Sequence, residues 1–279
     1  METAQDPSAG AHPGSAGGYG TGMLSKDLPT EFDRLRALER AMDPTSIAVL
    51  DGLPVQPNWH CLEMGAGAGS MAYWLAKQCL AGRVVAADLD PRFLDQRRAA
   101  HLEVARLDLA RAEFAPGSFD LIHSRAVLSH IPERDRILRS AVGWLRPGGW
   151  LVVQDFVLLP PEPAAASPLT PFIEAMILGG PAQGNDSRWT RRMPAELAAL
   201  GLEGLQLRTT PLTAGLGGPA DELWRISLGQ LGPVFVERGT MTQEQVDTLA
   251  LALERRSLVD LSFLFVSAWA RRPRVGRQR

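Results

Sequence analysis

From Trp59 onward, short apolar runs alternate with stretches in which apolar residues recur every three or four positions. Compact apolar runs bounded by turn residues read as buried strands, and the longer spacing reads as helix. Strands are therefore expected at 59–62, 83–88, 102–108, 119–124 and 150–154. Helices are expected after Ser70, where Met71, Trp74 and Leu75 share a face, from Pro91, and over Ile131 to Leu145, with a turn at Arg146-Pro147-Gly148-Gly149. Strands alternating with helices at this pitch imply a parallel, doubly wound sheet. Ahead of it, Phe32, Leu35, Leu38 and Met42 mark a helix over 31–42, and Asp43-Pro44 reads as the N-cap and first-turn proline of a second. Beyond residue 156 the alternation loosens into a proline-rich loop, an apolar helix at 172–178, a helix at 194–200 and a strand at 205–208. Leu223, Ile226, Leu231, Val234 and Phe235 line one face of a helix over 219–238, Thr242-Gln243-Glu244-Gln245 has the form of a capping box, and 261–269 reads as a final strand.

Composition narrows the classes of function. The chain has 279 residues, 45% of them hydrophobic, enough for one α/β core with insertions or two small ones. A formal charge of −2 leaves no electrostatic footprint for nucleic acid or an anionic membrane. Residues 1–18, rich in Gly, Ala, Ser and Pro, lack the pattern of a signal peptide or membrane span, so 1–27 is expected to be a disordered tail. Two cysteines are too few for a disulfide scaffold, which points to a reduced, cytoplasmic setting. No paired histidines suggest a metal site.

The chemistry concentrates at Glu63-Met64-Gly65-Ala66-Gly67-Ala68-Gly69-Ser70, a glycine turn between the first strand and its helix. Such a turn lets a ligand approach the backbone, and the helix start offers N–H groups. A nicotinamide dehydrogenase would want G-x-G-x-x-G/A; Gly65 and Gly67 fit, but Ser70 takes the last place. Asp88, at the tip of the second strand, suits ribose hydroxyls in either class. Glu63 tips the balance: its charge is unwelcome beside a pyrophosphate and suits an ammonium or sulfonium. Asp108, after the third strand, could accept from an adenine amino group. The segment from Phe119 to Leu151, with Leu145-Arg146-Pro147-Gly148-Gly149, has no special task in a dehydrogenase.

Together these residues resemble the class I methyltransferases that use S-adenosylmethionine, closely over 59–156 and more loosely elsewhere; the flanking pieces look like bacterial small-molecule, natural-product methyltransferases. The resemblance implies that Glu63, Gly65, Gly67 and Gly69 hold the methionine end. It implies that Asp88 binds ribose, with Asp90 as the neighbouring substitute and Leu89 beside it, and that Asp108 meets adenine with Leu109 packing nearby. Tyr19 as a lid and Ser124 at the end of the fourth strand complete the expected cofactor set. His130 is the candidate general base and Asp155 a candidate for orienting the acceptor; both also have structural readings, packing and loop capping respectively. His123 reads as structural. The expected fold is a Rossmann-like, doubly wound sheet of seven strands with the last antiparallel. An N-terminal helical lid at 28–58 and helical insertions at about 157–190 and 212–258 would roof a pocket for a small organic substrate and offer a homodimer face. A methyltransferase fold turned to cyclisation or other non-methylating chemistry, or a non-catalytic binding protein, is the alternative.

Overall fold

The computed structural model describes residues 24–160, 167–180, 185–186 and 188–274. Seven strands form one sheet: β1 (His60–Met64), β2 (Arg83–Asp88), β3 (Leu102–Arg106), β4 (Phe119–Arg125), β5 (Leu145–Leu158), β6 (Glu203–Ala214) and β7 (Asp260–Arg271). Their order is β3-β2-β1-β4-β5-β7-β6, with β1 to β5 parallel and β7 antiparallel to both neighbours. This is the doubly wound sheet the hydrophobic pattern implied.

Register sorts the two faces. Leu62, Ile122, Leu151 and Ala268 belong to the cluster that α3 (Arg134–Trp144) and α5 (Trp189–Ala199) cover through Ile137, Leu138, Ala141, Trp189 and Met193. Cys61, Leu121, Val152 and Trp269 point the other way, against Val49 and Leu50 of α1 (Glu31–Leu50) and Leu75 of α2 (Ser70–Gln78). The Cys61 and Cys79 thiols lie 3.6 Å apart, both buried. A third cluster joins the ends of β6 and β7 to the cap helices. Phe172 and Ile173 of α4 (Thr170–Gly179), Trp224, Leu228 and Phe235 of α6 (Pro219–Glu237), and Leu249 and Leu253 of α7 (Gln243–Arg255) pack with Met42 and Phe263 into a separate cap core.

Several local expectations change. Asp43-Pro44 does not start a helix; α1 runs unbroken through Pro44, and the Asp43 carboxylate instead accepts from Ser70 Oγ and from Arg125. No α-helix forms from Pro91: the Asp95 side chain accepts from the Arg97 N–H and supports only one tight turn, Gln96–Arg98. The Arg146-Gly149 turn is absorbed into β5 as an irregularity in register opposite β4. β6 and β7 extend beyond their apolar runs because they pair with each other over most of their length. The capping box at Thr242 and Gln245 forms as its spacing implied. Residues 24–27, expected in the tail, are ordered against the sheet edge, with Lys26 buried.

Candidate active site

The carboxyl ends of the parallel strands open onto a cavity of about 750 Å³. In a doubly wound sheet, ligands bind at this edge. Its floor is the loop from β1 to α2, where Gly65, Gly67 and Gly69 take φ values of +71°, +60° and +99°. A Cβ on Gly65 would meet Val127 Cγ2 at 2.2 Å. Gly67 differs: its missing Cβ leaves open space, with Leu35 Cδ2 at 3.9 Å. That vacancy lies on the cavity wall.

Carboxylates ring the floor. Glu63 on β1 sets one oxygen 2.6 Å from His123 Nδ1, while its second oxygen has no hydrogen-bond partner among the described residues. Asp88 Oδ2 accepts from the Gly67 N–H at 2.8 Å, so the strand tip and the loop are tied together. Asp88 Oδ1 accepts from the Asp90 N–H and from Lys26 Nζ, both at 2.9 Å, and Lys26 also donates to the Asp90 carbonyl at 2.6 Å. Asp108 lies two residues beyond β3, half-exposed, with Leu109 buried beside it.

The start of α2 separates the two cofactor classes. A dinucleotide fold keeps this helix end for pyrophosphate. Here Glu39 of α1, buried, accepts the Ser70 N–H at 2.8 Å. One carboxylate already caps the helix and a second, Glu63, stands at the loop entrance, so a diphosphate would meet two like charges. The same surroundings suit a ligand with a cationic amino-acid end and a nucleoside. The sheet and its loop are those of the class I methyltransferase fold.

Residues 62–153 match the family model described as a methyltransferase domain. Methyltransferase str3 of Strobilurus tenacellus is 35% identical over 41% of this chain and 44% of its own length. Methyltransferase str2 of the same organism is 29% identical over 61% of this chain and 66% of its own. The chain thus spans 44% and 66% of the length of these two relatives. Among solved structures, a Haemonchus contortus phosphoethanolamine N-methyltransferase in complex with phosphomonomethylethanolamine and S-adenosylhomocysteine superposes with a TM-score of 0.59. It is 16% identical and covers 88% of this chain and 58% of the other. The cofactor of this family is S-adenosylmethionine, and the free Glu63 oxygen, the open space at Gly67 and the strand-tip carboxylates fit it.

The cavity continues upward into the cap. His130 closes a short turn after β4, and Asp155 lies at the carboxyl end of β5. Burial, with Arg34 and Arg134 nearby, pulls the His130 imidazole down to about 4, so the ring is neutral at ordinary pH. Burial pushes the Asp155 carboxyl up to about 6, although it accepts from the Phe156 N–H and from the Ser129 N–H and hydroxyl. Those bonds hold the His130 turn onto β5. Above them the wall is mainly apolar, with Phe156, Leu158, Met176, Leu223, Trp224 and Phe263, and Ser227 and Asn185 as polar members. Trp224 and Phe263 stack with centroids 4.3 Å apart.

Glu63, Gly65, Gly67, Asp88, Leu89, Asp108, Leu109, His130 and Asp155 all line this one cavity. Gly69 instead supplies the left-handed residue before α2. Ser124 shares the sheet face of Met64 and Val153, in the strands' apolar interior, and is not on the cavity wall. Tyr19 lies outside the described residues. Sequence reasoning missed Lys26, Arg34, Glu39 and the partnership of His123 with Glu63. The signals were a rare lysine in an arginine-rich chain and a histidine in the middle of an apolar strand. Among the described residues no cluster could hold a metal ion, and no helix is long and apolar enough to cross a membrane.

Proposed function

We propose that this chain transfers a methyl group from S-adenosylmethionine to a small, largely apolar organic molecule, a secondary metabolite or its precursor. The observation that carries this reading is a single cavity with a polar, carboxylate-ringed floor and an apolar, aromatic roof. The floor suits a nucleoside with an amino-acid end and the roof an organic acceptor. S-adenosylmethionine supplies a methyl group on a sulfonium, already activated for in-line displacement. The protein has to set the acceptor in line with it and keep water out. Glu63 would hold the ammonium, Asp88 the ribose hydroxyls, and Asp108 the adenine edge. The Trp224–Phe263 wall would press the acceptor toward the floor. His130, neutral on the cavity wall, accepts a proton from an acceptor that enters protonated. The low value of about 4 makes it a weak base, so positioning carries most of the rate.

Helix α1 and the cap around α4, α6 and α7 form the lid of this reading; a homodimer through them and a cytoplasmic location accompany it. Incubation with methyl-labelled cofactor and a panel of apolar hydroxyl- and amine-bearing molecules tests it. The expected result is label on at least one acceptor together with stoichiometric S-adenosylhomocysteine. Binding of cofactor with no label transferred to any panel member would favour non-methylating chemistry in the same fold.

A further inference from the structure

A chain of polar groups crosses four strands on the sheet face covered by α1 and α2. Glu63 (β1), His123 (β4), Gln154 (β5) and Ser267 (β7) are all 2% exposed or less. Glu63 sits opposite His123 and Gln154 opposite Ser267, with Gln154 two residues along from the β5 partner of His123, so all four share one face. The bonds are continuous: His123 Nδ1 to Glu63 Oε2 at 2.6 Å, His123 Nε2 to Gln154 Oε1 at 2.9 Å, and Gln154 Nε2 to Ser267 Oγ at 2.7 Å.

Because the Gln154 amide donates to Ser267, its carbonyl faces the ring. Both ring nitrogens then meet oxygen acceptors, and only an imidazolium has two N–H groups to give. Turning the amide over would place its NH2 at Nε2 and its carbonyl at the Ser267 hydroxyl, which satisfies a neutral ring with the same partners. The chain therefore has two proton states and needs no rearrangement of the strands to pass between them.

Charge selects the state. A buried carboxylate needs a compensating charge. The other groups around this pair are committed. Arg125, two residues along β4, is bound to Asp43 and Ser46 of α1 and Ser70 of α2; Glu39 of α1 is held by the Ser70 N–H and Arg36; Cys61 on β1 bonds Cys79. With the floor empty, the His123 ring, 2.6 Å from Glu63, is the group placed to serve as its counter-charge. Once a ligand ammonium binds the second oxygen of Glu63, the imidazolium becomes redundant and is repelled.

We propose that His123 is a positioning residue that couples cofactor binding to the release of one proton. The Nε2–H bond breaks, its electron pair stays on the ring, the proton passes to solvent, and the ammonium takes over as counter-charge to Glu63. The inference rests on the cofactor reading of Glu63 and adds a proton to its equilibrium.

Calorimetric titration of the full chain with S-adenosylhomocysteine, in buffers of differing ionisation enthalpy and at several pH values, reads the proton count. The expected result is release approaching one proton per site, with affinity tightening up to about tenfold per pH unit. Adenosine, which lacks the amino-acid end, should bind without that release, as should S-adenosylhomocysteine on His123→Asn. Asp155 remains in that variant, so its own charge change cannot account for the difference. Binding of S-adenosylhomocysteine with no proton released, or with equal release from adenosine or from His123→Asn, overturns the proposal but leaves the cofactor reading intact. No binding at all overturns both. The ring 15N signals of His123 in the wild-type chain give the same answer without a variant: two protonated nitrogens free and one when bound, with an unchanged pair contradicting the proposal.

Discussion

The two halves of the cavity are built from different materials. The floor is backbone and strand tips: glycines at positive φ, an N–H donated to Asp88, and carboxylates at fixed points on adjacent parallel strands. The roof is side chains alone, drawn from α1, α4, α6 and the ends of β5 and β7, resting on the separate cap core. A floor made of backbone accommodates one shape of ligand. A roof made of Leu, Met, Phe and Trp can change without disturbing the sheet, so specificity for the acceptor can vary while cofactor binding stays fixed.

The sharpest way to break this division is to strike each half and ask whether the other notices. Trp224→Ala removes a buried ring from the cap and should cost about 3–5 kcal/mol of stability. Affinity for S-adenosylhomocysteine should stay within about twofold at temperatures where the variant is folded; parallel thermal melts and titrations check this. Gly65→Ala puts a methyl into Val127 at a φ of +71° and should cost about 1–3 kcal/mol while abolishing cofactor binding. Asp88→Asn removes the charge from the ribose seat and should weaken cofactor affinity by more than about tenfold, as a charged hydrogen bond is worth roughly 1.5–3 kcal/mol. Asparagine keeps one carbonyl oxygen for the buried Lys26, where alanine would leave none, but gives up the bond from the Gly67 N–H, so melts accompany the titration. His130→Gln should slow turnover several-fold, about 1 kcal/mol in the barrier, with cofactor affinity unchanged. Wild-type rates would confine His130 to packing.

A separate effect lies in the pH dependence of stability. Asp155 has a folded value of about 6, above its unfolded range near 4. The native state thus binds the extra proton between those values, and stability falls as pH rises from about 4 to about 6. Denaturant titrations across that window should show the decline, and Asp155→Asn should flatten it.

The floor was legible in the sequence because its determinants are local. A glycine turn needs its residues consecutively, and each strand-tip acid follows its own apolar run, so Glu63, Gly65, Gly67 and Asp88 could be named from spacing. What sequence missed depends on distant segments meeting. Lys26 reaches Asp88 across 62 positions, Glu39 caps a helix 31 positions away, and His123 is joined to Glu63 only because β1 and β4 are neighbours. The misplaced boundaries have the same cause. Pro44 looked like a helix start until the Asp43 carboxylate proved to be bound to Arg125 and Ser70, and β6 outran its apolar residues because β7 pairs with it.

The measurement that bears most directly on the account is a crystal structure of the chain with S-adenosylhomocysteine. The account predicts the ligand ammonium against the free Glu63 oxygen, the ribose hydroxyls on Asp88, and the adenine edge at Asp108, with the sulfur facing the His130 side of the cavity. A ligand lying elsewhere, or a floor that takes up a nicotinamide dinucleotide and refuses S-adenosylhomocysteine, would contradict it.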